Sequence, residues 1–177
     1  MVLSGREKSM YQTGDRVVYG MHGVCLVADR EVRIVDRKEI AYLILEPVGQ
    51  KGSRYMIPEE KAASMSKLRY LMDQPALSAL LQSEDIKADV WIPEERNRKQ
   101  YYKELVSSCV PLPLIRMLRC VYRYRAEQAA AGKKFHMCDE NFMRDCERML
   151  SGEISVIQGI SQAEALQYLR ERLKEDA

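Results

Sequence analysis

The amino-acid sequence predicts an α+β protein. A small N-terminal antiparallel β-barrel is expected over residues 1–73 and an all-α bundle over residues 74–177. Three observations predict this. Short apolar runs separated by glycine turn signals fill residues 10 to 72. The apolar period switches from strand-like to helical at Pro75. A 177-residue chain with 46% hydrophobic and 31% charged residues is that of a globular protein of one domain or two small ones.

Gly14-Asp15 is a turn signal before the apolar strand Arg16–Tyr19. Gly20 and Gly23 bracket Met21-His22, where the chain can reverse without a Cβ penalty. Val24–Ala28 reads as the next strand. Glu31–Val35 alternates polar and apolar residues, as a half-buried strand does. Ala41–Leu45 is more fully apolar and is stopped by Pro47 and the turn at Gly49–Gly52. Arg54–Ile57 follows, ended by Pro58, and Leu68–Met72 closes the sheet. Five or six short strands at close intervals suggest a small barrel. So small a sheet buries little core alone and is expected to lean on the second half of the chain or on a partner.

Helices are expected at Pro75–Gln82, with Pro in the first turn, at Arg96–Ser107, and at Pro113–Ala130, stopping near Gly132. Asp139 is an N-cap candidate for Asp139–Leu150, whose Phe142, Cys146, Met149 and Leu150 share one face. Ser161-Gln162-Ala163-Glu164 is a capping-box pattern opening a last helix, with Leu166, Leu169 and Leu173 as its apolar stripe.

The net charge of +2 hides an asymmetry. Between Arg96 and Lys134 there are ten bases and two acids, whereas Glu84–Glu95 holds five acids and one base. A local block of this kind says more about partners than the overall charge does. The apolar stretches fall short of a membrane span, and residues 1–6 are too polar for a secretory signal, so a cytoplasmic protein is expected. Cys25, Cys109, Cys120, Cys138 and Cys146 form no CxxC pair and suit a reducing compartment. With His22 and His136 they match no familiar zinc spacing. Cys109 with either histidine could imitate a thiol–imidazole pair, but no loop motif supports it. Gly49–Gly52 lacks the spacing of a phosphate loop, and the carboxylate pairs Glu59-Glu60 and Glu94-Glu95 are adjacent in sequence and read as surface, not as an acid–base dyad. No enzyme, cofactor, metal or small-molecule substrate is expected.

Tyr11, Gly14-Asp15, Val17-Val18-Tyr19, His22-Gly23-Val24, Tyr42–Leu45 and Met56-Ile57-Pro58 together resemble the opening of the CarD/CdnL family of bacterial transcription regulators. That β-module also occurs as the polymerase-interacting domain of transcription-repair coupling factors. In the second half, Lys133–Glu140 resembles the Gly-Lys-Lys-x-His-x-x-Asp-Glu linker of clostridial-type members, and Leu150-Ser151-Gly152-Glu153 the family's Leu-x-x-Glu helix end. The resemblance spans roughly residues 10 to 170. It implies a Tudor-like β-module docked on the RNA polymerase β subunit. It also implies a helical domain touching promoter DNA at the upstream edge of the melted bubble. There a tryptophan wedges into the minor groove, and the open complex is stabilised.

The polymerase-binding residues so implied are Tyr19, Met21, His22 and Gly23 in the turn and Arg54, Tyr55 and Met56 in the strand, with strand addition at an exposed edge as one mode. Met56 stands where the family has a contacting arginine, with Arg54 and Tyr55 beside it. The DNA-binding residues are Trp91, Arg96, Arg98, Lys99, Arg116, Arg119, Arg123, Lys133 and Lys134. Trp91 is the only Trp, but Ile92-Pro93-Glu94-Glu95 separates it from the bases that follow. It reads either as a wedge or as a core side chain. Arg116, Arg119 and Arg123 recur at i, i+3, i+7 and form one helix stripe opposite Leu114, Leu118, Val121 and Tyr122. Such a stripe is either a solvated face or a set of phosphate contacts that position without reading sequence. A protein–protein adaptor that binds polymerase and not DNA is the alternative function.

Overall fold

The computed structural model describes residues 10–174. The leader reading of residues 1–6 lies outside them. Two compact units divide between Tyr70 and Leu71.

The first unit is an antiparallel five-stranded sheet. Its strands are β1 (Arg16–Tyr19), β2 (Val24–Val35), β3 (Lys38–Pro47), β4 (Tyr55–Pro58) and β5 (Leu68–Tyr70), in the order β4-β3-β2-β1-β5. A four-residue helix, α1 (Glu59–Ala62), joins β4 to β5. One core cluster takes side chains from every strand: Val17, Cys25, Val27, Leu43, Leu45, Ile57 and Leu68, with Tyr11 and Ala62 added. The buried Tyr11 hydroxyl donates to the Leu68 carbonyl at 3.1 Å.

Two expected strands, Val24–Ala28 and Glu31–Val35, form one strand, β2. The polar run Asp29-Arg30-Glu31 is not a break but strand, with Asp29 and Arg30 exposed and Glu31 half-buried. Ala28 is an extra residue: Val27 pairs with Leu45 and Asp29 with Ile44, so a bulge bends the strand there. Beyond it, β2 and β3 continue as a two-stranded arm to a turn at Asp36 and Arg37, both at positive φ, as a two-residue hairpin requires. β1 pairs with β2 only at Val24–Leu26, and β4 with β3 only at Tyr42–Leu45. The arm thus outruns both neighbours. Val32 (56%) and Ile34 (76%) are exposed on it, and the expected half-buried strand does not hold for them.

The second unit is helical: α2 (Gln74–Gln82), α3 (Glu95–Ser108), α4 (Pro111–Ala130), α5 (Met137–Gln158) and α6 (Gln162–Lys174), with a 3-10 turn at Glu84–Lys87. Asp73 caps α2, accepting from the Ala76 N–H at 2.8 Å. Leu114, Leu118, Val121 and Tyr122 of α4 are all buried, as the apolar period requires. α5 outruns its expected end at Leu150 by two turns. Its apolar period continues through Ile154, and it stops at Gly159, which takes the left-handed conformation at φ 67°. Asp139 does not cap it; His136 holds that position and Asp139 is buried in the first turn.

The capping box forms at α6. The Ser161 N–H donates to Glu164 Oε2 at 2.9 Å, and the Glu164 N–H to Ser161 Oγ at 3.2 Å. Ser161→Ala is therefore expected to cost about 1 kcal/mol in a urea melt. A loss below about 0.3 kcal/mol would mean that Leu169 and Leu173, both fully buried, hold α6 without its cap.

Candidate functional site

In the β unit the turn between β1 and β2 depends on one backbone conformation. Gly23 sits at φ 77°, ψ −152°, a region open in practice only to glycine. Its N–H donates to the Gly20 carbonyl at 3.3 Å, and its carbonyl accepts from the Tyr19 N–H at 2.9 Å. The closed turn brings His22 onto Tyr19, with ring centroids 5.0 Å apart, and against Tyr55 of β4 at 4.2 Å. Tyr19 and Tyr55 meet edge to face at 5.6 Å, and Lys67 Nζ lies 5.3 Å above the Tyr19 ring. Tyr19, His22 and Tyr55, distant in sequence, thus form one aromatic cluster. Met21 and Met56 are both exposed. Arg54 pairs with Glu46 at 2.8 Å, an exposed ion pair of small net worth. β4 is an outer strand of the sheet.

The arm was not singled out from the sequence. The signal was there in Val32-Arg33-Ile34, but apolar residues at strand spacing are usually core, and only the shortness of β1 and β4 leaves these exposed. Arg30 at its base donates to Glu59 of α1 at 2.8 Å.

In the helical unit Trp91 is half-buried on the rim of the core. Its ring stacks on Tyr124 with centroids 4.2 Å apart, and the Arg98 guanidinium lies 4.5 Å over it. Its N–H donates to Asp89 Oδ1 at 3.0 Å. One part of the indole is thus fixed by packing while the residue keeps a solvent edge.

The nine candidate DNA residues do not form one surface. Arg98 is only 2% exposed and is removed from any phosphate surface. Its Nε and Nη2 donate to the two oxygens of Asp139 at 2.7 and 3.0 Å, and its Nη1 to the carbonyls of Ile92 and Pro93 at 2.9 and 3.0 Å. The Tyr102 hydroxyl also donates to Asp139, at 2.7 Å. Burial pushes the Asp139 carboxyl up, but the hydrogen bonds from Arg98 and Tyr102 outweigh it and hold the carboxyl below its ordinary value.

The three stripe arginines of α4 face the acidic segment before Trp91. Arg116 Nε donates to the Asp85 carbonyl at 2.6 Å, Arg119 Nη1 to the Lys87 carbonyl at 3.4 Å, and Arg123 Nη2 to Asp89 Oδ2 at 2.6 Å. Along α4 the stripe has only Glu127, 3.8 Å from Arg123, and its other partners come from a segment some thirty residues earlier. Asp89 is held below its usual range by the Trp91 N–H first and by Arg123 second. Arg96, Lys133 and Lys134 are exposed; Lys99, also exposed, pairs with Glu95 at 2.5 Å.

Cys109 is buried and ends α3 in the left-handed conformation, its Sγ 2.9 Å from the Val106 carbonyl. Burial pushes the Cys25 thiol up to about 11, the wrong direction for a nucleophile. Among the described residues no helix is long and apolar enough to cross a membrane, and no group of three or more His, Cys, Asp and Glu side chains could hold a metal.

No curated protein matches the chain. Residues 11–69 match the family model of the CarD-like/TRCF RID domain. The match runs from the buried Tyr11 to β5 and includes the turn, the ring cluster and the arm. The β unit is therefore similar to the CarD-like/TRCF RID domain, a protein-interaction module that binds the RNA polymerase β subunit.

Proposed function

We propose that this protein is a CarD/CdnL-type transcription regulator without enzymatic activity. Its β unit binds the RNA polymerase β subunit, and its helical unit binds promoter DNA at the upstream edge of the bubble and stabilises the open complex. The carrying observation is the match over residues 11–69 together with the aromatic cluster that joins the Gly20–Gly23 turn to β4. Aromatic side chains at an exposed edge are the usual anchors of a protein interface. The arm adds Val32 and Ile34 as exposed apolar contacts beside Arg33.

Arg96, Lys99, Lys133 and Lys134 are the phosphate contacts of this reading, and the solvent edge of Trp91 is the wedge. A wedge that fits only unstacked DNA binds the melted state better than the closed one, and so shifts that equilibrium. The adaptor reading is favoured by one observation: the α4 arginines already hold Asp85, Lys87 and Asp89.

Open-complex lifetime on a promoter, with wild type and Trp91→Ala, tests the proposal. The expected result is a longer lifetime with wild type that the variant loses. Lys133→Glu with Lys134→Glu should lower DNA affinity and flatten its salt dependence by about two counterions. Polymerase binding with no effect on lifetime and no salt-dependent DNA affinity would overturn the regulator in favour of the adaptor.

A further inference from the structure

Four arginines that the sequence offers as phosphate contacts converge on one segment of the chain itself. Arg116, Arg119 and Arg123 reach Asp85, Lys87 and Asp89 from α4, and Arg98 reaches Ile92 and Pro93 from α3. The grips fall on both sides of Trp91, at residues 85–89 before it and 92–93 after it. Between them, Asp89 connects the grip to the indole's own backbone: one carboxylate oxygen takes the Trp91 N–H and the other takes Arg123. Arg98 acts twice, holding the carbonyls after Trp91 and lying over its ring.

We propose that Arg98, Arg116, Arg119 and Arg123 are positioning residues, an internal clamp that fixes the loop carrying Trp91 and sets which edge of the indole faces solvent. Their charge is spent on carbonyls and carboxylates of this chain and not on phosphates. Carbonyl oxygens along an irregular loop need donors, and arginine supplies several in a rigid fork. The segment 84–93, with the acids Glu84, Asp85 and Asp89, Pro93 and a single lysine, has few side-chain donors of its own to hold a flat side chain in one pose. The clamp rests on the proposed function only for why the pose of Trp91 matters.

Arg98 is buried with Asp139, so its removal tests folding before posture; Arg123 and Asp89 are partly exposed and serve better. Trp91 is the only Trp, so intrinsic fluorescence of the full chain reports its environment alone. The second readout is amide exchange at Trp91, whose N–H is held by Asp89. Arg123→Gln should shift Trp91 emission to longer wavelength and speed exchange of its amide by about two- to fivefold, the range an exposed ion pair allows. Asp89→Asn keeps an oxygen for the Trp91 N–H while losing the charge opposite Arg123. The double variant should exchange no faster than the faster single one, because both remove the same link. Arg123→Lys should restore part of the wild-type emission.

Unchanged emission and exchange in Arg123→Gln, or effects of the two variants that multiply independently, would overturn the clamp. Both readouts are taken without DNA or polymerase. A failed clamp and a failed regulator are therefore told apart.

Discussion

Asp139→Ala is expected to destabilise the helical unit by about 3–5 kcal/mol, the cost of leaving one member of a buried ion pair without its partner. Asp139 is 0% and Arg98 2% exposed. Removing the carboxylate strips Arg98 of both its charged contacts and leaves the Tyr102 hydroxyl without its acceptor. The Tyr102 ring lies 4.0 Å from Phe142 and nearly parallel to it, so the disturbance reaches the core directly. The measurement is a urea melt followed by Trp91 emission. Arg98→Met with Asp139→Leu and Tyr102→Phe should recover part of the loss, because an apolar set avoids the desolvation cost, while the carbonyls of Ile92 and Pro93 still lack their donor. A loss under about 1 kcal/mol in Asp139→Ala would mean the pair is solvated and carries little. The same pair sets an acid limit. A carboxyl held below its unfolded value stabilises the fold above that value, about 3.9, and the contribution disappears as pH falls through the lower folded value. Glu147, which accepts from Tyr122 at 2.6 Å and twice from Arg170 at 2.8 Å, is likewise held down and adds in the same direction. Stability of the unit should thus be flat from neutral pH to about 5 and drop below about 4.

Tyr55→Ala is expected to weaken binding to the polymerase β subunit by about thirtyfold, near the 2 kcal/mol of an aromatic hot spot. Tyr55 is the side chain that both Tyr19 and His22 touch, so its loss removes a surface and also the support that holds the turn against β4. Titration calorimetry with the isolated β subunit reads the loss, with Tyr55→Phe as the variant that keeps the ring. Unchanged affinity in Tyr55→Ala would place the polymerase contact elsewhere, and the arm with Val32 and Ile34 is the next surface to vary.

Local signals carried most of the elements. Gly20 and Gly23 mark the turn because only glycine takes the backbone angles found at Gly23, and that requirement sits inside one residue. The Ser161–Glu164 box is equally local, its partners three residues apart. Relations across distance were not legible. Arg98 reads as one base in a basic run, and only the fold shows Asp139, 41 residues on, taking its charge into the core. The spacing of Arg116, Arg119 and Arg123 says correctly that they share a helix face. It says nothing of the acidic segment lying there. Asp139 before an apolar run has the composition of a cap; its burial follows from a partner in another helix.

The extra residue at Ala28 makes the face of the arm a matter of parity. Before it, Cys25 and Val27 point into the core; after it, Arg30 lies opposite Leu43, so Arg30, Val32 and Ile34 continue the core side of the sheet outward. Unbroken alternation from Val27, with no bulge, would instead set Glu31, Arg33 and Val35 on that side. Loss of Ala28 itself would leave Val27 opposite Leu45 and Arg30 opposite Leu43, so the bend would go and the face would stay. The bulge thus absorbs one residue without exchanging the surface offered by the arm or disturbing the interior. A single-residue change of length at this one position is silent on both faces of the sheet, a tolerance that needs no compensating substitution.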